Sequence, residues 1–129
     1  MHKALIECSE ELIGGVLTAA TEVHKALGPG LLESVYELAL MVELEMAGIP
    51  ARRQVEVPVS YRGRDLGTGL RADIIVADCL LLELKAVEAL APIHTAQIIT
   101  YLKLLGYKRG YLLNLNVPLL KHGIKRISI

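Results

Sequence analysis

The stretch from Asp73 to Lys85, Asp-Ile-Ile-Val-Ala-Asp-Cys-Leu-Leu-Leu-Glu-Leu-Lys, constrains this chain most. Two apolar runs meet at a short turn around Ala77-Asp78-Cys79. Successive side chains on a strand face opposite ways, so Glu83 and Lys85 share one face. Folding the hairpin about residue 78 sets Asp73 opposite Glu83. Two carboxylates and an ammonium then converge on a face otherwise made of Ile, Val and Leu. Burying charge there is costly unless the groups are paired or bind a metal. Two readings stay open from the residues alone. The group holds a hard divalent cation and acts on a phosphate, or it is a cross-strand ion pair in an ordinary sheet.

The rest of the chain supplies the partners of this hairpin. From Glu10 to Leu27, apolar residues at Leu12, Ile13, Val16, Leu17, Ala20, Val23 and Leu27 have helical spacing, with Ser9 as N-cap and Gly28-Pro29-Gly30 as the stop. A second helix is expected from Leu31 to Ala47, apolar nearly all round and so mostly buried, closed by Gly48 and Pro50. The period then changes. Gln54–Tyr61 alternates and reads as a strand, with Pro58 suggesting an edge. Arg62–Asp65 reads as a turn, and Leu66–Val76 and Leu80–Val87 as the second and third strands. Pro92–Leu105 reads as a helix ended by Gly106, followed by strands over Tyr107–Leu115 and Gly123–Ile129. The order is ααβββαββ, one domain over residues 1–129 with a mixed central sheet flanked by helices. The strand–helix–strand crossover makes part of the sheet parallel.

Composition narrows the function classes. The hydrophobic content is 53% of 129 residues, yet no segment reaches the roughly 18 uncharged apolar residues that cross a bilayer. The surplus implies a well-filled core or a subunit interface, and a two-fold homodimer is the default expectation. The start, Met1-His2-Lys3-Ala4-Leu5-Ile6-Glu7, puts acid where a secretory signal has its apolar stretch. Cys8 and Cys79 lie far apart and match no metal or redox spacing. Cys79 reads as a buried thiol, which fits a reducing, cytoplasmic location. Net charge is zero, but residues 1–50 hold two Lys against eight Glu and residues 51–129 hold twelve Lys and Arg against six acids. The halves thus carry −6 and +6. There is no P-loop, Rossmann glycine pattern, zinc spacing or Ser-His-Asp order.

Three motifs together resemble a known family. Asp73 with Glu83-Leu84-Lys85, on the middle strands of this element order, resembles the PD-(D/E)XK nuclease superfamily. Gly30-Leu-Leu-Glu33-Ser-Val-Tyr36, preceded by Val23-His24-Lys25-Ala26-Leu27-Gly28-Pro29, resembles the signature of the GxxExxY family within it. Gln97-Ile-Ile-Thr-Tyr101 resembles the Q-x3-Y motif of its exonuclease-like branches. The resemblance covers about residues 10–129, with one departure: Ala72, not proline, precedes Asp73.

The resemblance implies a restriction-endonuclease-like core that hydrolyses phosphodiesters in DNA with Mg²⁺ or Mn²⁺. Asp73, Glu83 and the carbonyl of Leu84 would be the metal ligands. Lys85 would act on the attacking water and the developing charge, Glu33 would be a supporting acid, Gln97 would hydrogen-bond a metal-bound water or a terminal phosphate, and Tyr101 would stack or hydrogen-bond nearby. The competing expectation is a catalytically idle nuclease fold that binds nucleic acid or protein. It is favoured by the zero net charge and by the absence of Trp and Phe, which leaves Tyr alone to stack on bases.

Overall fold

The computed structural model describes residues 4–67 and 69–129. Two helices come first, α1 (Glu10–Leu27) and α2 (Glu33–Met46). After them come β1 (Ala51–Glu56), β2 (Ser60–Tyr61), β3 (Arg64–Asp65), β4 (Arg71–Val76), β5 (Leu80–Lys85), α3 (Pro92–Leu105), β6 (Arg109–Asn114), a 3-10 turn (Leu120–His122) and β7 (Ile124–Ser128). The mixed α/β class and its flanked central sheet are as expected. The first two strands differ from expectation. Pro58 lacks an N–H for a ladder, and β1 stops two residues before it. The segment expected as one continuous hairpin instead carries a separate two-residue ribbon, β2 with β3, turned at Arg62 and Gly63, both at positive φ. Part of the expected strand from Leu66 lies outside the described residues, at Thr68, and β4 begins at Arg71.

The main sheet runs β1-β4-β5-β6-β7. The β5–β6 pair is parallel, linked through α3, and the other neighbours are antiparallel. Helices α1 and α2 cover one face, burying Ile13, Val16, Tyr36, Leu40 and Leu44 against Ile74, Leu80, Leu82 and Leu84. Helix α3 covers the other, burying Ile98, Tyr101 and Leu102 against Ile75, Leu81 and Leu112. Strand β5 is therefore enclosed on both faces, and Leu80 through Leu84 are all buried. The continuous apolar run in its sequence is what such a position requires.

Helix α1 starts at Ser9, whose hydroxyl accepts the Leu12 N–H at 3.1 Å, and ends at Gly28, φ 70°. The Tyr36 hydroxyl donates to the Gly28 carbonyl and accepts the Leu31 N–H. Fully buried itself, Tyr36 thus pins the turn between the two helices from within the core. His24, also buried, directs its Nε2 at the carbonyls of Leu115 and Val117, 3.1 and 2.8 Å away. It is a structural hydrogen-bonder.

Two expectations are corrected here. Helix α2 is not mostly buried: Tyr36, Glu37, Leu40 and Leu44 face inward, and a row of apolar residues faces solvent. Cys79 is not a thiol either. It forms a disulfide with Cys8, Cα to Cα 5.4 Å, which ties the segment before α1 to the β4–β5 turn. Disulfides persist in oxidising surroundings, so the inference of a reducing compartment from an isolated thiol loses its basis. Among the described residues no helix is long and apolar enough to cross a membrane.

The cross-link joins residues 71 apart in sequence, and the chain-entropy model gives such a loop about 4 kcal/mol of stabilisation. The expected outcome is that Cys8→Ser, or reduction of the wild type, lowers urea-unfolding stability by about 2–4 kcal/mol. Unfolding curves that coincide with and without reductant would refute the cross-link.

Candidate functional site

The hairpin register pairs Ile74 with Leu82, Ile75 with Leu81 and Val76 with Leu80, which places Asp73 across from Glu83. The backbone ladder stops short of that pair and side chains take over. Asp73 Oδ2 accepts the Leu84 N–H at 2.8 Å, and Glu83 Oε1 lies 3.4 Å from the Asp73 N–H donor. Glu83 is 6% exposed, and its carboxyl is pushed up to about 9. Burial is the largest cause, followed by the charge of Asp73 and a hydrogen bond with the Asp73 side chain. The hydrogen bond from the Asp73 N–H and the charge of Lys85 pull the other way and are outweighed. At neutral pH Glu83 therefore keeps its proton.

A cleft of about 140 Å³ opens beside Asp73, lined by Glu33, Ser34, Glu37, Gln54, Asp73 and Leu84. Glu33 reaches it as the first residue of α2, on the helix side that also carries Tyr36, Leu40 and Leu44. Glu37 is 5% exposed and fully engaged: Arg53 Nη2 and Gln54 Nε2 each donate to its carboxylate at 2.7 Å. Neighbouring residues on a regular strand point to opposite faces. Arg53 and Gln54 both reach Glu37 because Gln54 sits at φ 50°, and Val55 then packs against the α3-side core. Sequence reasoning missed Ser34, Glu37 and Gln54 as lining residues. Nothing in the residue types marks the kink, since Gln has no preference for positive φ.

The other expected site residues lie elsewhere. Lys85 is half-buried beside Glu83 and does not line the cleft. Gln97 is exposed on α3, and Tyr101 is packed among the residues buried beneath that helix. Neither lines the cleft. The backbone of Leu84 engages Asp73 through its N–H. Arg71 donates to the Gln54 carbonyl at 3.2 Å.

This arrangement does not fit a divalent cation. Among the described residues no three His, Cys, Asp or Glu side chains come together as a metal-holding group. Two acids near the cleft are already engaged: Glu37 is held by Arg53 and Gln54, and one oxygen of Asp73 accepts a backbone N–H. The expected Mg²⁺ or Mn²⁺ cofactor, and with it the expected DNA-hydrolysing enzyme, is overturned by that missing ligand group.

Protonation of Glu83 has a consequence for stability. Its folded value is raised, so its contribution is fully present below the unfolded value of 4.5 and is lost as pH rises toward about 9. Glu83→Gln removes the titrating group and keeps a hydrogen-bond donor. The variant should gain on the wild type between pH 5 and 9, by on the order of a few kcal/mol at the upper end. Urea unfolding of both proteins across that range checks this, and parallel stability curves would contradict it.

Comparison with curated proteins and with solved structures finds no match. Comparison with family models finds one, described as the PD-(D/E)XK nuclease superfamily, over residues 10–127. That span takes in both helical layers and the whole main sheet from β1 to β6 and nearly all of β7. By fold and by the extent of this match, the chain belongs to the PD-(D/E)XK nuclease superfamily.

Proposed function

We propose that this chain is a nuclease fold without a metal centre, acting as a single protein-binding module whose contact surface is the outer face of α2. One observation carries the reading. Val35, Leu38, Val42 and Met46 are exposed by 41, 52, 54 and 76%, their spacing of three or four residues puts them on one side of the helix, and the N-cap residue Leu32 just before it is 74% exposed. A helix that packs once against a core normally keeps its outer face polar. A groove between α2 and β1, lined by Leu38, Met41, Val42, Ile49 and Pro50 among others, continues the apolar surface.

In this reading the Asp73–Glu83 pair is a neutralised structural centre, with Lys85 beside it and Glu33 at the rim of the small cleft. Membership of the GxxExxY branch is part of the proposal. It is supported by the work Tyr36 does on the Gly28–Leu31 turn. A protein partner is favoured over DNA because the exposed stripe on α2 is apolar, and four of the twelve Lys and Arg in residues 51–129 are already paired. Arg52 pairs with Asp78, Arg53 with Glu37, and Arg109 and Arg126 with Glu10. Such pairing leaves fewer free cations to displace counterions from a phosphate backbone.

The test is affinity capture from the source cells with three immobilised proteins: wild type, Glu83→Gln, and the double variant Leu38→Glu/Val42→Glu. A protein retained by the first two and lost at least tenfold on the third is the expected outcome. Partners retained equally by all three would remove α2 as the contact surface. DNA cleavage that needs Mg²⁺ and disappears in Asp73→Ala would overturn the module itself.

A further inference from the structure

The partner that fits α2 can be specified from the charges around its apolar stripe. At 100° per residue, Val35, Leu38, Val42 and Met46 fall within about 80° of arc. Glu45 lies on one side of that arc and Glu43 on the other. From Gly28 to Pro50 the chain holds Glu33, Glu37, Glu43 and Glu45 and no Lys, Arg or His. The nearest arginines along the chain do not offset this, because Arg52 is paired with Asp78 and Arg53 with Glu37. The surface is therefore an apolar ridge with an acidic border on both sides.

A second copy of the chain does not fit it. Two-fold pairing sets the same patch against itself, so a second copy would bring further acid and no Lys, Arg or His from Gly28 to Pro50 to the borders. Like charges at an interface rim disfavour association. The homodimer expected from hydrophobic content is corrected on this ground.

We propose, building on the module reading, that α2 docks an amphipathic helix whose apolar face is flanked on both sides by Lys or Arg. The stripe from Val35 to Met46 is about 17 Å long at 1.5 Å per residue, which a partner helix of about 15 residues spans. Its Leu, Ile, Val or Met side chains would recur every three or four residues and interleave with Val35, Leu38 and Val42. Its cations would straddle the ridge to meet Glu43 on one border and Glu45 on the other. The apolar ridge supplies affinity and the acidic borders supply selection among partners.

The experiment uses the full chain and two 15-residue amphipathic peptides with identical Leu positions, one carrying Lys and the other Glu at the flanking positions. Fluorescence anisotropy at 50 mM salt should show the Lys peptide binding about tenfold tighter, with the difference shrinking at 500 mM salt as screening sets in. Glu43→Lys/Glu45→Lys should reverse the order of the two peptides. Leu38→Glu/Val42→Glu should weaken the Lys peptide at least tenfold even though it adds acid. Far-UV circular dichroism confirms that each variant is folded. Equal binding of the two peptides, no binding of the Lys peptide, or no reversal in the charge-swapped variant would overturn the partner assignment. If that happens while affinity capture still yields a protein dependent on Leu38 and Val42, the module stands and the chemistry of its partner is different.

Discussion

A carboxyl group in the middle of a fully enclosed strand is the constraint on which the rest of this structure turns. Strand β5 has helices over both faces and neighbours on both edges. Water does not reach Glu83 to solvate a charge, and an ionised carboxylate there would be costly. Holding a proton, with Asp73 alongside, removes most of that cost. The same pair continues the sheet where the ladder ends. Asp73 takes the Leu84 N–H, and Glu83 approaches the Asp73 N–H, so side chains occupy backbone groups that strand pairing has left over. Residues that look like a reactive centre in sequence here close the end of a hairpin.

That closure is coupled to the orientation of α2. The kink at Gln54 lies opposite Asp73 in the β1–β4 register. It turns Arg53 and Gln54 toward the same helix, where both bind Glu37. Removing Arg53 would leave a buried, uncompensated charge, so α2 is held with Glu37 against the sheet. On a helical wheel the direction opposite Glu37 is the one occupied by Val35, Val42 and Met46. One set of bonds thus denies an acid to any metal group and also points an apolar ridge into solvent.

Much of this was legible in the residues and some was not, for definable reasons. Hairpin register follows from the position of a turn, so the opposition of Asp73 and Glu83 could be read from Asp78. Helix ends were readable at Ser9, Gly28 and Gly106 because capping is local chemistry. The ribbon at Ser60–Asp65 was hidden, because Pro58 marks a break but carries no information about how the next residues pair. The Cys8–Cys79 bond could not be read, since nothing local links residues 71 apart. Gln97 and Tyr101 share a helix face, as their spacing requires, but spacing does not tell where α3 lies with respect to the Asp73 cleft. The protonation of Glu83 depends on burial from both sides, which is a property of the assembled layers and not of the strand.

Helix α2 shows how an accurate composition leads to a wrong burial. An all-round apolar helix is normally interior, but the interior here was already filled. The sheet offers two faces: α3 takes one, and α1 with the inner side of α2 takes the other. Leu32, Val35, Leu38, Val42 and Met46 have no third layer above them in the single chain. Scattered exposed apolar residues need no explanation, but four in helical register, Val35, Leu38, Val42 and Met46, do. With no metal-holding group among the described residues, the proposed function rests on the exposed ridge instead. A scaffold that holds Glu37 against the sheet with charge-assisted hydrogen bonds presents the opposite side of the same helix rigidly. Rigid presentation lowers the ordering cost of capture. The acidic borders at Glu43 and Glu45 then favour a cationic helix over a second copy of the chain.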